Sequence, residues 1–161
     1  MIPMSKVISW IKLMRLEFYS MPFVVYSLGA LISYKSNDLF FIKNFFVGYI
    51  VIFLIELATV LTNEYYDLEG DRLNKNPGRF TGGSRMLVEN RVSLKEVNLA
   101  FIFVILSFLL FSFYLLKLTY FSNNVLILLI LGMIFGIYYT APPLKLSYRG
   151  VGEIDVPFTH G

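Results

Sequence analysis

Cysteine is absent from this 161-residue chain, which excludes disulfides and thiolate metal sites at once. Histidine is nearly absent too: His160 stands one residue from the end and supports no imidazole chemistry on its own. Charge is scarce. Asp, Glu, Lys and Arg make up 16% of the residues, against 57% hydrophobic and 17% aromatic, and the mean hydropathy is +0.66. A chain of this size with so little charge reads as an integral membrane protein. The formal net charge of +3 says little about partners, and a nucleic-acid role would need a basic face that a largely buried chain does not offer. No cleavable signal is expected, because the early apolar run lacks a small-residue cleavage pattern and is followed by further spans.

What is present is a series of apolar runs. Phe18 to Tyr34, Asn44 to Asn63 (interrupted by Glu56), Val97 to Leu116 and Leu118 to Leu144 are each near or above the length that crosses a bilayer. The sequence therefore predicts an all-α, multi-pass membrane bundle. A short amphipathic lead-in surrounds Trp10, and a tight outer turn falls at Ser122-Asn123-Asn124. After the fourth run, Glu153 to Gly161 looks like the start of a fifth span. The expectation is about four full spans in a single transmembrane domain over 1–161 that forms the N-terminal part of a longer protein.

Cations orient the bundle. Eleven of the fourteen Lys and Arg residues lie in the N-terminal segment, between the second and third runs, or after the fourth; Lys35, Lys43 and Lys117 lie on the other side. Positively charged short loops stay cytoplasmic, so the N-terminus and the loops 67–95 and 141–152 are expected there. These two loops hold the Gly, Pro and charged residues that the spans exclude, and function concentrates in such segments.

The second run ends in Asn63-Glu-Tyr-Tyr-Asp67-Leu-Glu-Gly-Asp71. On a helix, positions i, i+4 and i+8 drift by only about 40° per step, so Asn63, Asp67 and Asp71 share a face where a membrane helix meets water. Oxygen ligands suit a hard cation. Magnesium takes one or two protein carboxylates and completes its shell with waters and substrate phosphate oxygens, so the row reads as a Mg2+ and diphosphate site. A solvated helix end is the bland alternative. Against it, Glu64, Asp67, Glu69 and Asp71 put four of the chain's eleven carboxylates within eight residues, a concentration that calls for cations.

Candidates to hold the diphosphate follow directly: Arg72, Lys75, Arg79 and Arg85 in the first loop, with Lys145 and Arg149 in the second. Phe80-Thr-Gly82-Gly83-Ser84-Arg85 combines a flexible turn with a hydroxyl and a guanidinium, and could be an anion nest or a plain turn. Glu56, seven residues before Asn63, falls on the same helix stripe, and an ionisable group inside a span is a functional candidate by default. It is a candidate to seat an acceptor, with a hydrogen-bonded structural Glu as the alternative; Tyr139, at the end of the fourth run, is a second acceptor candidate.

With the row, the Gly-Gly-Ser-Arg turn and Tyr139-Thr-Ala-Pro-Pro-Leu-Lys-Leu-Ser-Tyr-Arg-Gly150 in hand, the chain resembles the UbiA superfamily of intramembrane prenyltransferases. Nearly the whole chain carries the resemblance. It implies the first half of a nine-helix fold around a central cavity, Mg2+ as cofactor, a polyprenyl diphosphate and an aromatic acceptor as substrates, and two Asp-rich motifs, of which this sequence supplies the first. A fragment with one motif is expected to be inactive alone. Gly82 to Arg85 and Tyr148 to Glu153 look most like the menaquinone-pathway branch, which prenylates 1,4-dihydroxy-2-naphthoate; 4-hydroxybenzoate, homogentisate and isoprenoid glycerol lipids are the other acceptors implied. Asn76-Pro-Gly-Arg-Phe-Thr81 replaces the Asn-Arg-Pro and Pro-Ser-Gly pattern of other branches, and the Tyr-x-x-x-Lys motif of some members is missing. A cation-coupled transporter half is a rival from another class. It would distribute acidic groups through the bilayer depth, whereas only Glu56 lies deep.

Overall fold

A computed structural model describes residues 5–78 and 82–149. Among these residues the chain is helical with no strand. The elements are α1 (Lys6–Met14), α2 (Ser20–Asn37), α3 (Ile42–Tyr66), α4 (Leu68–Leu73), α5 (Leu94–Leu118) and α6 (Asn123–Tyr138), with short 3-10 turns at Leu16–Tyr19 and Leu146–Arg149. The segment from Leu16 to Asn37, together with α3 and α5, is long and apolar enough to cross a membrane; α6, with 16 residues, is shorter.

The centre of the bundle is α3, which packs against α1, α2, α4, α5 and α6. Its buried positions Val47, Val51, Leu54, Ala58 and Leu61 recur at alternating four- and three-residue steps, which keeps them on one stripe. The facing stripe on α5, Val97, Val104, Phe108 and Leu115, has the same rhythm, so the two longest helices mesh along a common core. The remaining apolar surface of α5 is exposed at Leu99, Ile102, Phe103, Leu106 and Leu110, as a lipid-facing side requires.

Two glycines bring α6 onto α3. A Cβ at Gly132 would lie 3.2 Å from Ile55 Cδ1, and one at Gly136 would run into Thr59 Oγ1. Small residues spaced by four let helix backbones approach closely where no hydrophobic force drives them together.

The helix ends are fixed locally. Ser5 caps α1 by accepting from Ile8 N, and Arg15 stops it in the left-handed region at φ 51°. Ser93 and Glu96 form a capping box on α5. Lys6 on α1 bonds the same Glu96 at 2.7 Å and the Arg91 carbonyl. The lead-in helix therefore lies across the charged end of the bundle, with Ser9 and Leu13 buried beneath it.

Two expectations need adjustment. The outer turn expected at Ser122-Asn123-Asn124 lies slightly earlier, at Thr119 to Ser122, where Tyr120 and Phe121 have positive φ, so α6 begins at Asn123, inside the apolar run from Leu118 to Leu144. Helical hydrogen bonding then runs past Tyr138 as far as Ala141 N to Ile137 O, which adds length to α6. The 67–95 segment is not all loop, since Leu68–Leu73 is helical and α5 begins at Leu94. The start of a fifth span, with His160, lies outside the described residues.

Candidate functional site

The Asn/Asp/Asp row occupies the junction of α3 and α4 rather than one unbroken helix. Asn63 belongs to α3, Asp67 is the joint with φ −86° and ψ −3°, and Asp71 lies on α4. Hydrogen bonding nonetheless runs through the joint: Asp67 N donates to Asn63 O and Asp71 N to Asp67 O, each at 2.8 Å. The four-residue spacing survives the change of direction, which places Leu68 in the core.

Each member of the row is engaged by a different partner. The buried Thr140 hydroxyl donates to Asn63 Oδ1, and the Tyr148 hydroxyl donates to Asp67 Oδ1. Both donors come from the segment that follows α6, so the second loop closes over the row. Asp71 faces the first loop, where Gly83 has φ +65° and a Cβ would collide with the Asp71 carboxylate. Gly83 is therefore required twice, by its backbone angle and by the close approach. Arg85 donates to the backbone carbonyls of Asp71 and, at 3.4 Å, Asn74, satisfying the open end of α4.

Burial makes carboxylate charge costly in this site. Burial holds the Asp67 carboxyl above its usual range, against the pull of the Tyr148 hydrogen bond, Arg15 and Lys145. Burial also raises Asp71, reinforced by the charge of Asp67 and opposed by Arg85 and Arg15. The hydrogen bond to Asp67, aided by burial, pushes the Tyr148 phenol up to about 12. Two partly buried carboxylates that repel one another are stabilised by a cation between them.

Among the described residues, no three His, Cys, Asp or Glu side chains gather into a metal cage. The row offers two carboxylates and an amide oxygen. That donor set fits magnesium, which needs one or two carboxylates and leaves its other positions to water and phosphate, and it is too sparse for a closed calcium site.

The candidate cations separate into groups. Lys145, with its ammonium 5.7 Å above the Tyr148 ring, acts on Asp67, and Arg85 acts on Asp71. Arg72 pairs with Glu69 at 2.7 Å on the exposed side of α4, Lys75 is exposed, and Arg149 bonds the Pro143 carbonyl at 3.0 Å. Arg79 lies outside the described residues. Glu56 is half-buried on α3, one turn beyond Phe53, which packs 4.8 Å from the buried Tyr19 ring. Half-buried Tyr139 accepts from Ser147 N and Oγ through its carbonyl, both at 2.9 Å. A separate cleft of about 320 Å³ is lined by Leu61, Tyr65, Phe101, Tyr138 and neighbours on α3, α5 and α6; none of the row's three side chains lines it.

Sequence reasoning missed Arg15, Glu64, Thr140 and Tyr148. For Tyr148 and Thr140 the signal was within reach, since both lie in the polar segment after the last apolar run. Arg15 showed only as a topological charge.

Residues 21–157 match the family described as the UbiA prenyltransferase family. No curated protein and no solved structure matches the chain.

Proposed function

We propose, since the chain belongs to the UbiA prenyltransferase family, that it transfers a polyprenyl group from a polyprenyl diphosphate to an aromatic acceptor, 1,4-dihydroxy-2-naphthoate in menaquinone formation. Prenyl transfer within a membrane is the activity that membership gives. The acceptor, the metal and the roles of individual residues are our reading, as is a cytoplasmic position for the row and its two loops.

The observation that carries the reading is the pairing of Asp67 and Asp71 at the junction of α3 and α4, two partly buried carboxylates whose ionisation is held back by burial and, for Asp71, also by the charge of Asp67. Asn63, Asp67 and Asp71 would hold Mg2+, which when bound supplies Lewis-acid neutralisation of the leaving diphosphate. Lys145 and Arg85, already placed beside the two Asp residues, are positioned to take the charge that grows on the diphosphate oxygens. Arg15 acts on both Asp residues and belongs with them; Arg72, Lys75, Arg79 and Arg149 form an outer set. Tyr148 holds its proton at physiological pH and can donate a hydrogen bond to a phosphate oxygen as readily as to Asp67. The allylic cation left by departure of the diphosphate needs a dry, aromatic-lined space, and the acceptor ring would be seated by Glu56 and Tyr139.

In the full-length protein, replacing Asp67 with Ala should abolish transfer of labelled prenyl groups to 1,4-dihydroxy-2-naphthoate, with membrane insertion intact. Near-normal turnover in that variant would overturn the assignment of the row. Turnover with 4-hydroxybenzoate or homogentisate in place of the naphthoate would overturn only the acceptor.

A further inference from the structure

Glu64 is the neighbour of Asn63, yet it points into the protein and is 4% exposed. Its two carboxylate oxygens each take one hydrogen bond, from Ser84 N and from Ser84 Oγ, both at 2.7 Å. Among the described residues, no cation pairs with it within ion-pair distance. A buried carboxylate without an ion pair is costly to maintain, and packing alone could be supplied by an apolar side chain.

What Glu64 holds is the stretch of the first loop that touches Asp71. The Ser84 hydroxyl, while donating to Glu64, accepts from Met86 N at 3.2 Å, and Met86 and Leu87 are buried in the core. One residue before Ser84, Gly83 lies against the Asp71 carboxylate; one residue after it, Arg85 bonds the Asp71 carbonyl. Three successive residues therefore run from a buried anchor on α3 to both sides of Asp71. Asn63 and Asp67 are held differently, through Thr140 and Tyr148 on the second loop.

We propose that Glu64 is a positioning residue: by clamping Ser84 it fixes Gly83 and Arg85 against Asp71, and so sets the third member of the row at the place from which it shares a divalent cation and a diphosphate with Asp67. This rests on the reading of the row as a metal–diphosphate site. Glu64 itself is turned toward Ser84 and touches no substrate.

The test uses the full-length protein in detergent, with Mn2+ as a spectroscopic stand-in for magnesium and inorganic diphosphate as the anion. Changing a residue behind a metal ligand typically weakens metal affinity by roughly 10–100-fold. That loss is expected for Glu64→Gln in Mn2+ titrations followed by electron paramagnetic resonance. Ser84→Ala should show a smaller loss, and the double variant no more than Glu64→Gln alone, because both act through one clamp. Ser84→Thr keeps both donors and should restore binding. In turnover assays the requirement for Mg2+ and the KM for prenyl diphosphate should rise together, with kcat largely recovered at saturating metal. A merely structural role would reduce the amount of folded protein and leave the metal titration of the surviving fraction unmoved; that result overturns the proposal. If Glu64→Gln does not fold, Ser84→Ala decides by the same titration. Failure of the wild-type protein to bind Mn2+ with diphosphate would overturn the underlying reading, whereas wild-type binding with unaltered variants would overturn only the role of Glu64.

Discussion

Tyr148 donates its phenolic hydrogen to the Asp67 carboxylate across 81 residues of sequence. The contact joins the loop after α6 to the joint between α3 and α4, and it sets the acid behaviour of the row. Burial raises Asp67, and the Tyr148 hydrogen bond is the strongest influence pulling it back down. In Tyr148→Phe that restraint is lost and the carboxyl rises further. At mildly acid pH a larger fraction of Asp67 is then protonated, and a proton competes with a metal for the same oxygens. The acid limb of the activity–pH profile should move to higher pH, with the plateau above it largely retained. A uniform drop at every pH would mean that Tyr148 acts by some route other than Asp67.

Gly83 makes a second prediction. Alanine there must adopt φ +65° and also place a methyl group against the Asp71 carboxylate. A strained backbone of this kind costs about 1–3 kcal/mol, and the collision displaces the loop that carries Ser84 and Arg85. Gly83→Ala is expected to cut prenyl transfer at least tenfold while the helical content, measured by circular dichroism in detergent, stays unchanged. Wild-type activity would show that Asp71 does not need the loop against it.

The raised Asp67 and Asp71 carboxyls also fix the direction of a pH effect on stability. A carboxyl whose folded-state value lies above its unfolded one favours the fold fully below the unfolded value, and that contribution is lost as pH rises through the folded value. Metal-free protein in a chelator should therefore unfold at lower temperature at neutral pH than at about pH 4, in the ordinary carboxylate range, so far as these two groups decide it. Magnesium with diphosphate should reverse the trend by occupying the ionised pair. Thermal scans at the two pH values, with chelator or with Mg2+ and diphosphate, measure both effects; a metal-free protein that gains stability toward neutral pH, and is indifferent to Mg2+, would contradict them.

Much of the fold was legible because its signals are local. The apolar runs marked α2, α3 and α5 to within a few residues, since lipid exposure demands continuous hydrophobicity. The row was legible from its four-residue spacing, and that spacing outlasted the bend at Asp67 because the hydrogen bonding did. What could not be read was which polar residues meet across the chain. Thr140 reaches Asn63 and Ser84 reaches Glu64 only because α6 and the first loop are packed onto α3, and no periodicity within either segment reports that packing. Glu64 was counted as one more charge in an acidic cluster, although it is the buried one. The turn before α6 was expected at Ser122 to Asn124 and falls a few residues earlier, because the apolar pair Tyr120 and Phe121 reverses the chain through positive φ and an apolar composition does not report that.

The last prediction concerns the seam that brings the second loop to the row. Gly136 on α6 leaves no room for a Cβ, because Thr59 Oγ1 on α3 occupies that space. Gly136→Ala must push α6 away from α3 or force Thr59 aside. Four residues later in the chain, just past the end of α6, Thr140 makes its contact with Asn63, so a displaced α6 carries Thr140 and Tyr148 away from Asn63 and Asp67. Small misplacements at a reacting centre cost up to about a hundredfold in rate, and a loss of roughly ten- to a hundredfold in prenyl transfer is expected for Gly136→Ala, with insertion into the membrane preserved. Thr59→Ala removes the colliding oxygen and gives up only a hydroxyl that bonds the Ile55 carbonyl of its own helix at 3.0 Å. The double variant Thr59→Ala, Gly136→Ala should therefore recover most of the activity. A single variant as active as wild type would show that the row does not depend on the α3–α6 approach, and a double variant as impaired as Gly136→Ala alone would show that the collision with Thr59 is not what displaces the loop.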